Sequence, residues 1–284
     1  MKKLFAFDVD GTLADVYSNI QPGVTSLFKD KRIENCIVAF ITGNTITTIK
    51  KMRQNLKKLS NNKLNIQSYC ASLGGSIIYN EKDEIVFKKS FCKRRLISFF
   101  DKSIALEPDC FFMLMLENKQ IFCHIPNKQT EDYIRSYFGR MNMDHNEIYF
   151  CNEDYHTLLR KLPEIYSVNI FNAKDAYALQ TKLLPEIIKK GYATYIEHRM
   201  NMLQISANSK LKALKFIMRK LKENNIYGDG AKNAVFFGDG GNDITSMQYC
   251  NLSVARGLNL TDDVVAVGDI YADDLTPYLN KIFD

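Results

Sequence analysis

Two pairs of aspartates, far apart in the sequence, each follow a short apolar run. Asp8 and Asp10 come at the end of the run 4–9 and are followed by Gly-Thr. Asp239 and Asp243 come after the run 234–237, in a segment that contains three glycines. Carboxylates this close repel one another, so they need a cation or separated protonation states. Four of them at one sheet edge would form a hard oxygen site suited to Mg²⁺.

Two further pieces have the chemistry to bind a phosphoryl group. Thr42, Gly43 and Asn44 stand between an apolar run and a helical pattern, where a hydroxyl and backbone N–H groups can face an anion. Lys210 opens another helical pattern and could supply positive charge. Taken alone, a lysine at a helix start is more often simply solvated. Its functional assignment therefore depends on the other motifs.

The elements that must position these residues alternate between strand and helix. Apolar runs of this length are typical of strands buried on both faces of a parallel sheet, and their carboxyl ends meet at one edge. The pattern predicts a doubly wound α/β core. The predicted elements are strands at 4–9, 35–41, 67–71 and 234–237, and helices at 22–31, 46–59 and 209–224.

The chain changes character from about residue 84 to about residue 207. Hairpin-like pairs of strands and separate helices replace the strict alternation, which indicates an inserted α+β domain. The helix at 175–190 should stop at Gly191. The other predicted elements here are helices at 91–106 and 130–141 and strands at 111–116, 120–125, 166–171, 192–198 and 202–206.

Composition excludes several classes of protein. The chain has 284 residues, 46% of them hydrophobic and 25% charged, with a net charge of +6. No run approaches the roughly 18 apolar residues that a membrane span needs. Seven cysteines without a Cys-x-x-Cys pair favour free thiols in a reducing compartment. We therefore expect a cytoplasmic protein with no membrane partner.

The four motifs, in this order, resemble those of the haloacid dehalogenase-like hydrolases. The likeness is greatest to their Cof-type sugar-phosphatase branch, in which a large α/β cap is inserted between the third core strand and the lysine. The resemblance extends over the whole chain. It implies a Rossmann-like doubly wound parallel-sheet core formed by residues 1–83 and 208–284, with an inserted α+β cap at 84–207.

The resemblance also implies a mechanism. Asp8 would attack phosphorus to form an aspartyl-phosphate, and Asp10 would act as general acid and then general base. Mg²⁺ would be held by Asp8, the backbone carbonyl of Asp10, and Asp239, with Asp243 beside it or one shell further out. The phosphoryl oxygens would be bound by Thr42, Gly43, Asn44, Lys210 and Asn242. The cap would close over the site and contact the leaving group.

The sequence departs from the common pattern of this branch at four places. Gly74-Gly75-Ser76 stands where Asn-Gly-Ala usually ends the third strand. Asn44 stands where an arginine is usual, and Leu211 follows the lysine where glycine is common. Ala255-Arg256-Gly257 replaces a stretch similar to Met-Gly-Asn. None of these changes removes one of the four acids, so they concern the choice of substrate more than the chemistry.

Three functions compete at this stage. The first is Mg²⁺-dependent hydrolysis of a small phosphorylated metabolite, such as a sugar phosphate. The second is phosphoryl transfer to a sugar by a phosphotransferase or phosphomutase, and the third is an inactive binding module. Basic clusters such as 50–53 and 88–95 have no reader motif beside them, so a solvated helix face is favoured over nucleic-acid binding. The sequence gives neither the substrate nor the oligomeric state.

Overall fold

The computed structural model describes residues 2–15, 19–59, 69–140, 148–197, 201–228, 230–257 and 260–284. The chain forms two compact units. The first comprises residues 1–87 and 210–284, and the second comprises residues 88–209. The sequence analysis placed these boundaries at 83/84 and 207/208.

The strands are numbered in chain order. Their bounds are β1 Leu4–Phe7, β2 Ile37–Ile41, β3 Cys70–Ser72, β4 Ile77–Tyr79, β5 Ile85–Lys88, β6 Phe111–Met115, β7 Gln120–Cys123, β8 Ile148–Cys151, β9 Ser167–Phe171, β10 Ala193–Glu197, β11 Met202–Ser206, β12 Ala234–Gly238, β13 Leu252–Ala255 and β14 Ile270–Tyr271. The helices are α1 Thr25–Lys29, α2 Ile46–Leu59, α3 Lys93–Leu106, α4 Lys128–Arg140, α5 Tyr155–Lys161, α6 Ala176–Lys190, α7 Lys210–Glu223, α8 Ile244–Met247, α9 Asp262–Val267 and α10 Leu279–Phe283.

The first unit has an eight-stranded sheet in the order β14-β13-β12-β1-β2-β3-β4-β5. Its centre is parallel: Leu4 of β1 lies opposite Ala234 of β12 on one side and Ile37 of β2 on the other. The four residues of β1 are all buried, as expected of a strand covered on both faces. The predicted doubly wound parallel-sheet core is confirmed.

Side chains of β1 alternate between two packed layers. Leu4 and Ala6 belong to a core cluster that includes Leu214 and Ile217 of α7. On the other face, Phe7 stacks on Phe237 with ring centroids 4.3 Å apart and also contacts Phe28 of α1. The sheet is thus held from both sides, which fixes the positions of the strand ends.

The second unit has a six-stranded sheet in the order β10-β11-β9-β6-β7-β8. All its pairs are antiparallel except β7 with β8. The predicted hairpin is present as β6 and β7, and α6 ends at Gly191 in the left-handed conformation, as predicted. One face of the sheet packs against α3, α5 and α6 around its own apolar core.

Some predicted bounds are wrong for local reasons. The first strand ends at Phe7, because the carbonyl of Val9 accepts hydrogen bonds from Leu13 and Ala14 in a turn. In place of the helix expected at 22–31 there are a 3₁₀ turn and α1. α1 ends at Lys29 because Asp30 is extended, and the Asp30 carboxylate caps the turn that follows. The third strand begins at Cys70, and residues 67 and 68 of that prediction lie outside the described residues.

No helix in the described part of the chain has the length and apolar character needed to cross a bilayer.

Candidate active site

Asp8 lies at the carboxyl end of β1 and is 6% exposed. Its backbone N–H donates to the carbonyl of Phe237 at 2.9 Å, which continues the parallel pairing with β12. Its carboxylate forms an ion pair of 2.8 Å with Lys210, at the first position of α7. Lys210 is itself only 4% exposed. A lysine at the start of a helix is usually solvated, but Lys210 is buried because it pairs with buried carboxylates.

Asp239 and Asp243 converge on Asp8. One carboxylate oxygen from each of the three lies within 4.8 Å of the others. Lys210 also contacts Asp243 at 2.8 Å, and the backbone N–H of Gly240 donates to the other oxygen of Asp243 at 3.2 Å. The two distant motifs therefore meet at the carboxyl edge of neighbouring parallel strands.

Two glycines make this convergence possible. Gly11 has a φ of +83°, and a Cβ atom there would lie 2.0 Å from a carboxylate oxygen of Asp239. A Cβ atom on Gly238 would lie 2.6 Å from the Cβ of Asp243. Each glycine is required by the close approach of a carboxylate and not only by its own turn.

When all three are ionised, the carboxylates carry more negative charge than the single lysine neutralises. Burial raises the pKa of Asp239, and repulsion from Asp8 and Asp243 raises it further. Burial and Asp8 likewise raise the pKa of Asp243, while Lys210 opposes them. For Lys210, burial acts to lower the pKa, but attraction by Asp243 and Asp8 outweighs it and the pKa rises. Lys210 thus stays protonated and leaves an excess of negative charge beside it.

This excess fits a divalent cation. The donor set consists of carboxylate oxygens only, which are the ligands that Mg²⁺ prefers. A cation at the cluster would remove the repulsion that raises the two pKa values. The described residues that could hold this cation include Asp8, Asp239 and Asp243. The backbone carbonyl of Asp10 lies in the same segment as Asp8.

The fourth carboxylate stands apart from the cluster, contrary to the expectation that all four gather. Oδ2 of Asp10 accepts a hydrogen bond of 2.6 Å from the Asn44 side chain and one of 3.3 Å from the Thr42 hydroxyl. Thr42 is completely buried and also accepts from the backbone N–H of Asn44 at 3.1 Å. These bonds turn the Asp10 side chain toward the end of β2, because the chain bends after Val9.

Asp10 has the pKa of a group that can exchange protons near neutrality. Burial raises its pKa to about 7, with a further contribution from Asp8, against the lowering effects of Lys210 and the Thr42 hydrogen bond. An acid or base is most effective when its pKa lies close to the working pH. Asp8 and Asp10 are two residues apart, yet Asp8 is paired with a lysine whereas Asp10 can hold or release a proton.

The remaining predicted residues lie at the same edge of the first unit. Gly43 and Asn44 are half-buried between the end of β2 and the start of α2, and Asn242 is half-buried next to Asp243. Lys210 and Thr42 contact the two catalytic candidates directly. The structure therefore brings together the ends of β1, β2 and β12 and the start of α7.

Sequence reasoning missed two residues beside the site. Arg256 is 2% exposed and donates hydrogen bonds to Gln21 and to the carbonyl of Thr12. Gln21 in turn donates to the carbonyl of Gly11 at 2.5 Å. The sequence feature that could have identified Arg256 is its position directly after the apolar run of β13, where a solvated charged side chain is not expected.

Comparisons with known proteins agree with this geometry. A model of the family described as haloacid dehalogenase-like hydrolase matches residues 5–273. Among curated proteins, no match to the sequence was found. The solved structure described as the subclass IIB sugar phosphatase BT4131 is 17% identical, with a TM-score of 0.72, and 99% of this chain aligns with 98% of that one.

Two further solved structures have the same fold. A haloacid dehalogenase-like hydrolase from Bacteroides thetaiotaomicron is 15% identical, with a TM-score of 0.71, over 99% of this chain and 100% of that one. TM0651 from Thermotoga maritima is 19% identical, with a TM-score of 0.68, over 99% and 98%. At these identities the structures show the fold, and the family match extends over most of the chain. The chain therefore belongs to the haloacid dehalogenase-like hydrolases.

Proposed function

We propose that this protein is a Mg²⁺-dependent phosphatase that hydrolyses small phosphorylated metabolites, with sugar phosphates as the first class to test. The observation that carries the proposal is the separation of the two aspartates of the first motif. Asp8 lies in a three-carboxylate cluster with Lys210, whereas Asp10 is held by Asn44 and Thr42 with a pKa of about 7. A nucleophile and a proton donor need this difference in environment.

The steps follow from the residues present. Asp8 attacks phosphorus, and the bond to the leaving oxygen breaks as Asp10 gives that oxygen a proton. Asp10 then takes a proton from water, which attacks the phosphorus of the aspartyl-phosphate and releases phosphate and free Asp8. Asp10 thus returns to its protonated state after each turnover.

Other residues bind charge. Lys210 neutralises part of the negative charge that a phosphate ester brings to Asp8. We expect Thr42, Asn242 and the backbone N–H of Gly43 to donate to phosphoryl oxygens when an ester is bound. Asp8, Asp239 and the Asp10 carbonyl, with Asp243 nearby, would hold Mg²⁺, and its positive charge would reduce repulsion between nucleophile and substrate. Residues 88–209 are assigned as the cap domain from their place in the chain, between β5 and Lys210.

The test is turnover of p-nitrophenyl phosphate followed by a panel of sugar phosphates. We expect release of phosphate with Mg²⁺ and none with EDTA. The isosteric variant Asp8→Asn should lose at least about a thousandfold in kcat, because the covalent step needs the carboxylate. Acid quenching should capture one phosphoryl group on the Asp8 peptide. The matched control Asp262→Asn, at an exposed position, should keep full activity.

Two results would reject the proposal in different ways. Full activity in Asp8→Asn, or activity that EDTA does not reduce, would exclude this mechanism. Isomerised sugar phosphate in place of released phosphate would show that the acceptor is a sugar and that the protein is a phosphotransferase.

A further inference from the structure

A buried arginine joins three segments of the first unit next to the carboxylate cluster. Arg256 follows β13 directly and is 2% exposed. Its guanidinium donates to the carbonyl of Thr12, to Oε1 of Gln21 at 2.9 Å, and twice to the carbonyl of Asp273, at 2.9 and 3.1 Å. The rigid, forked set of donors on arginine suits such a group of acceptors.

Gln21 extends this network to the next peptide. Its side-chain amide donates to the carbonyl of Gly11 at 2.5 Å and approaches that of Ala14 at 3.4 Å. The carbonyls of Gly11 and Thr12, the two residues after Asp10, are thus both held by side chains from elsewhere. Their orientation does not depend on the turn alone.

Stability alone does not account for an arginine at this place. The atoms that accept from Arg256 are neutral carbonyl and amide oxygens. Burial lowers the pKa of the guanidinium, and attraction by Asp273, Asp274 and Asp239 offsets this only in part. Burying a charge that is hydrogen-bonded only to neutral groups costs free energy, and an apolar side chain of similar volume often serves the fold as well or better. The feature that an apolar residue cannot supply is the set of donors.

The network also reaches the second aspartate motif. The Thr12 hydroxyl donates to Asp239 at 3.1 Å, and the backbone N–H of Arg256 donates at 3.0 Å to the carbonyl of Gly238, which precedes Asp239. Arg256 is therefore bonded to both segments that carry the carboxylates.

We propose that Arg256, together with Gln21, is a positioning residue for the cation site. The pair sets the orientation of the Gly11 and Thr12 peptides, and thereby the spacing between the Asp8–Asp10 segment and Asp239 on which cation affinity depends. The inference rests on the proposed function, since it assigns a role toward the same cation.

The test compares Mg²⁺ affinity, measured by isothermal titration calorimetry, in the wild type, Arg256→Met and Gln21→Met. Groups that orient metal ligands typically change affinity or activity by about 10–100-fold when removed, so we expect Mg²⁺ binding weaker by about tenfold or more in Arg256→Met. At limiting Mg²⁺, kcat should fall and saturating Mg²⁺ should restore most of it, while KM for the ester stays near the wild-type value. Arg256→Lys, with one donor group in place of the fork, should lie between.

The two substitutions should also be coupled. Because Arg256 and Gln21 share one network, the effects of Arg256→Met and Gln21→Met on Mg²⁺ affinity should not add in the double variant. If Arg256→Met fails to fold, Gln21→Met alone carries the comparison. The matched control is Arg53→Met, which removes a half-buried guanidinium, one bonded to Asp83 and Cys70, and should leave Mg²⁺ affinity unchanged.

The outcomes separate the two proposals. Unchanged Mg²⁺ affinity in folded Arg256→Met and Gln21→Met, at lower thermal stability, would overturn the positioning role and leave the phosphatase assignment standing. A wild type that binds Mg²⁺ but releases no phosphate from any ester would reject the phosphatase, while the comparison of affinities would still decide the role of Arg256.

Discussion

Asp8 and Asp10 are two residues apart in the chain, yet their carboxylates meet different partners. Asp8 is paired with the buried ammonium of Lys210, and Asp10 accepts from Asn44 and Thr42. An ammonium pairs with an ionised carboxylate, whereas neutral donors leave room for a proton on the other oxygen. The proposed division between nucleophile and acid thus follows from which element each side chain reaches, the start of α7 for Asp8 and the end of β2 for Asp10.

The pH dependence of kcat should report Asp10. Its pKa of about 7 means that the acid form is lost as the pH rises through neutrality, so kcat should fall on the alkaline side. Asn44→Ala removes a donor that favours the ionised form, which raises the pKa of Asp10 and moves this fall to higher pH. The profiles are measured with saturating Mg²⁺, and a shift to lower pH in Asn44→Ala would contradict the assignment.

The stability of the metal-free protein should depend on Asp239. Its raised pKa means that the folded state keeps a proton that the unfolded chain releases near pH 3.9, so folding becomes less favourable as the pH rises above that value. Asp239→Asn should therefore raise the free energy of unfolding at about pH 8 by at least about 1 kcal/mol, with little effect at about pH 4.

Thermal unfolding at both pH values, with and without Mg²⁺, checks this expectation. Mg²⁺ should stabilise the wild type at the higher pH and leave Asp239→Asn nearly unaffected. Destabilisation of metal-free Asp239→Asn at the higher pH would show that the carboxylate cluster is not under electrostatic strain. Asp262→Asn, on an exposed surface, should match the wild type throughout.

At this scale the sequence predicted the acids well and their supporting network poorly. The aspartates could be found because their types, spacing and preceding apolar runs form a pattern. Gln21 and Arg256 have no such pattern: each acts through carbonyls that only the folded chain brings within reach. Likewise, the separation of Asp10 from the other carboxylates depends on the path of the turn after Val9.

At the scale of elements, the site is built from strand ends. β1 is parallel to both β2 and β12, so the residues after all three strands meet at one edge. Long periodic elements such as α2 and α6 were predicted nearly residue by residue. The two-residue β14 was not found, because a strand this short has no readable period and is set by its tertiary neighbours.

A pair of glycine substitutions isolates the role of the turn after β1. Gly11→Ala places a methyl group on a carboxylate oxygen of Asp239, whereas Gly230, also at positive φ, has no atom within 4 Å of the same position. Both variants should lose about 1 kcal/mol of stability from backbone strain. Only Gly11→Ala should also lose most of its activity and Mg²⁺ affinity. Equal activity in the two variants would show that the close approach to Asp239 is unimportant.

At the scale of the whole molecule, the second unit has the features of an independent domain. Residues 88–209 are continuous in the chain, and their sheet and helices enclose a separate apolar core. A domain with its own core can fold alone. The fragment 88–209 should therefore unfold cooperatively on heating and show no phosphatase activity. A fragment with no thermal transition in circular dichroism would show that its core is insufficient.

The position of β1 between β2 and β12 also determines when the protein can become active. β1, which Asp8 follows, is synthesised long before β12, so Leu4 must wait for Ala234 before its second edge is paired. Contacts so distant in sequence form slowly, and an unpaired central strand is open to wrong partners in the meantime. Until β12 and α7 have been synthesised, Asp8 has neither Asp239 nor Lys210 beside it, so the proposed hydrolysis cannot begin before that point.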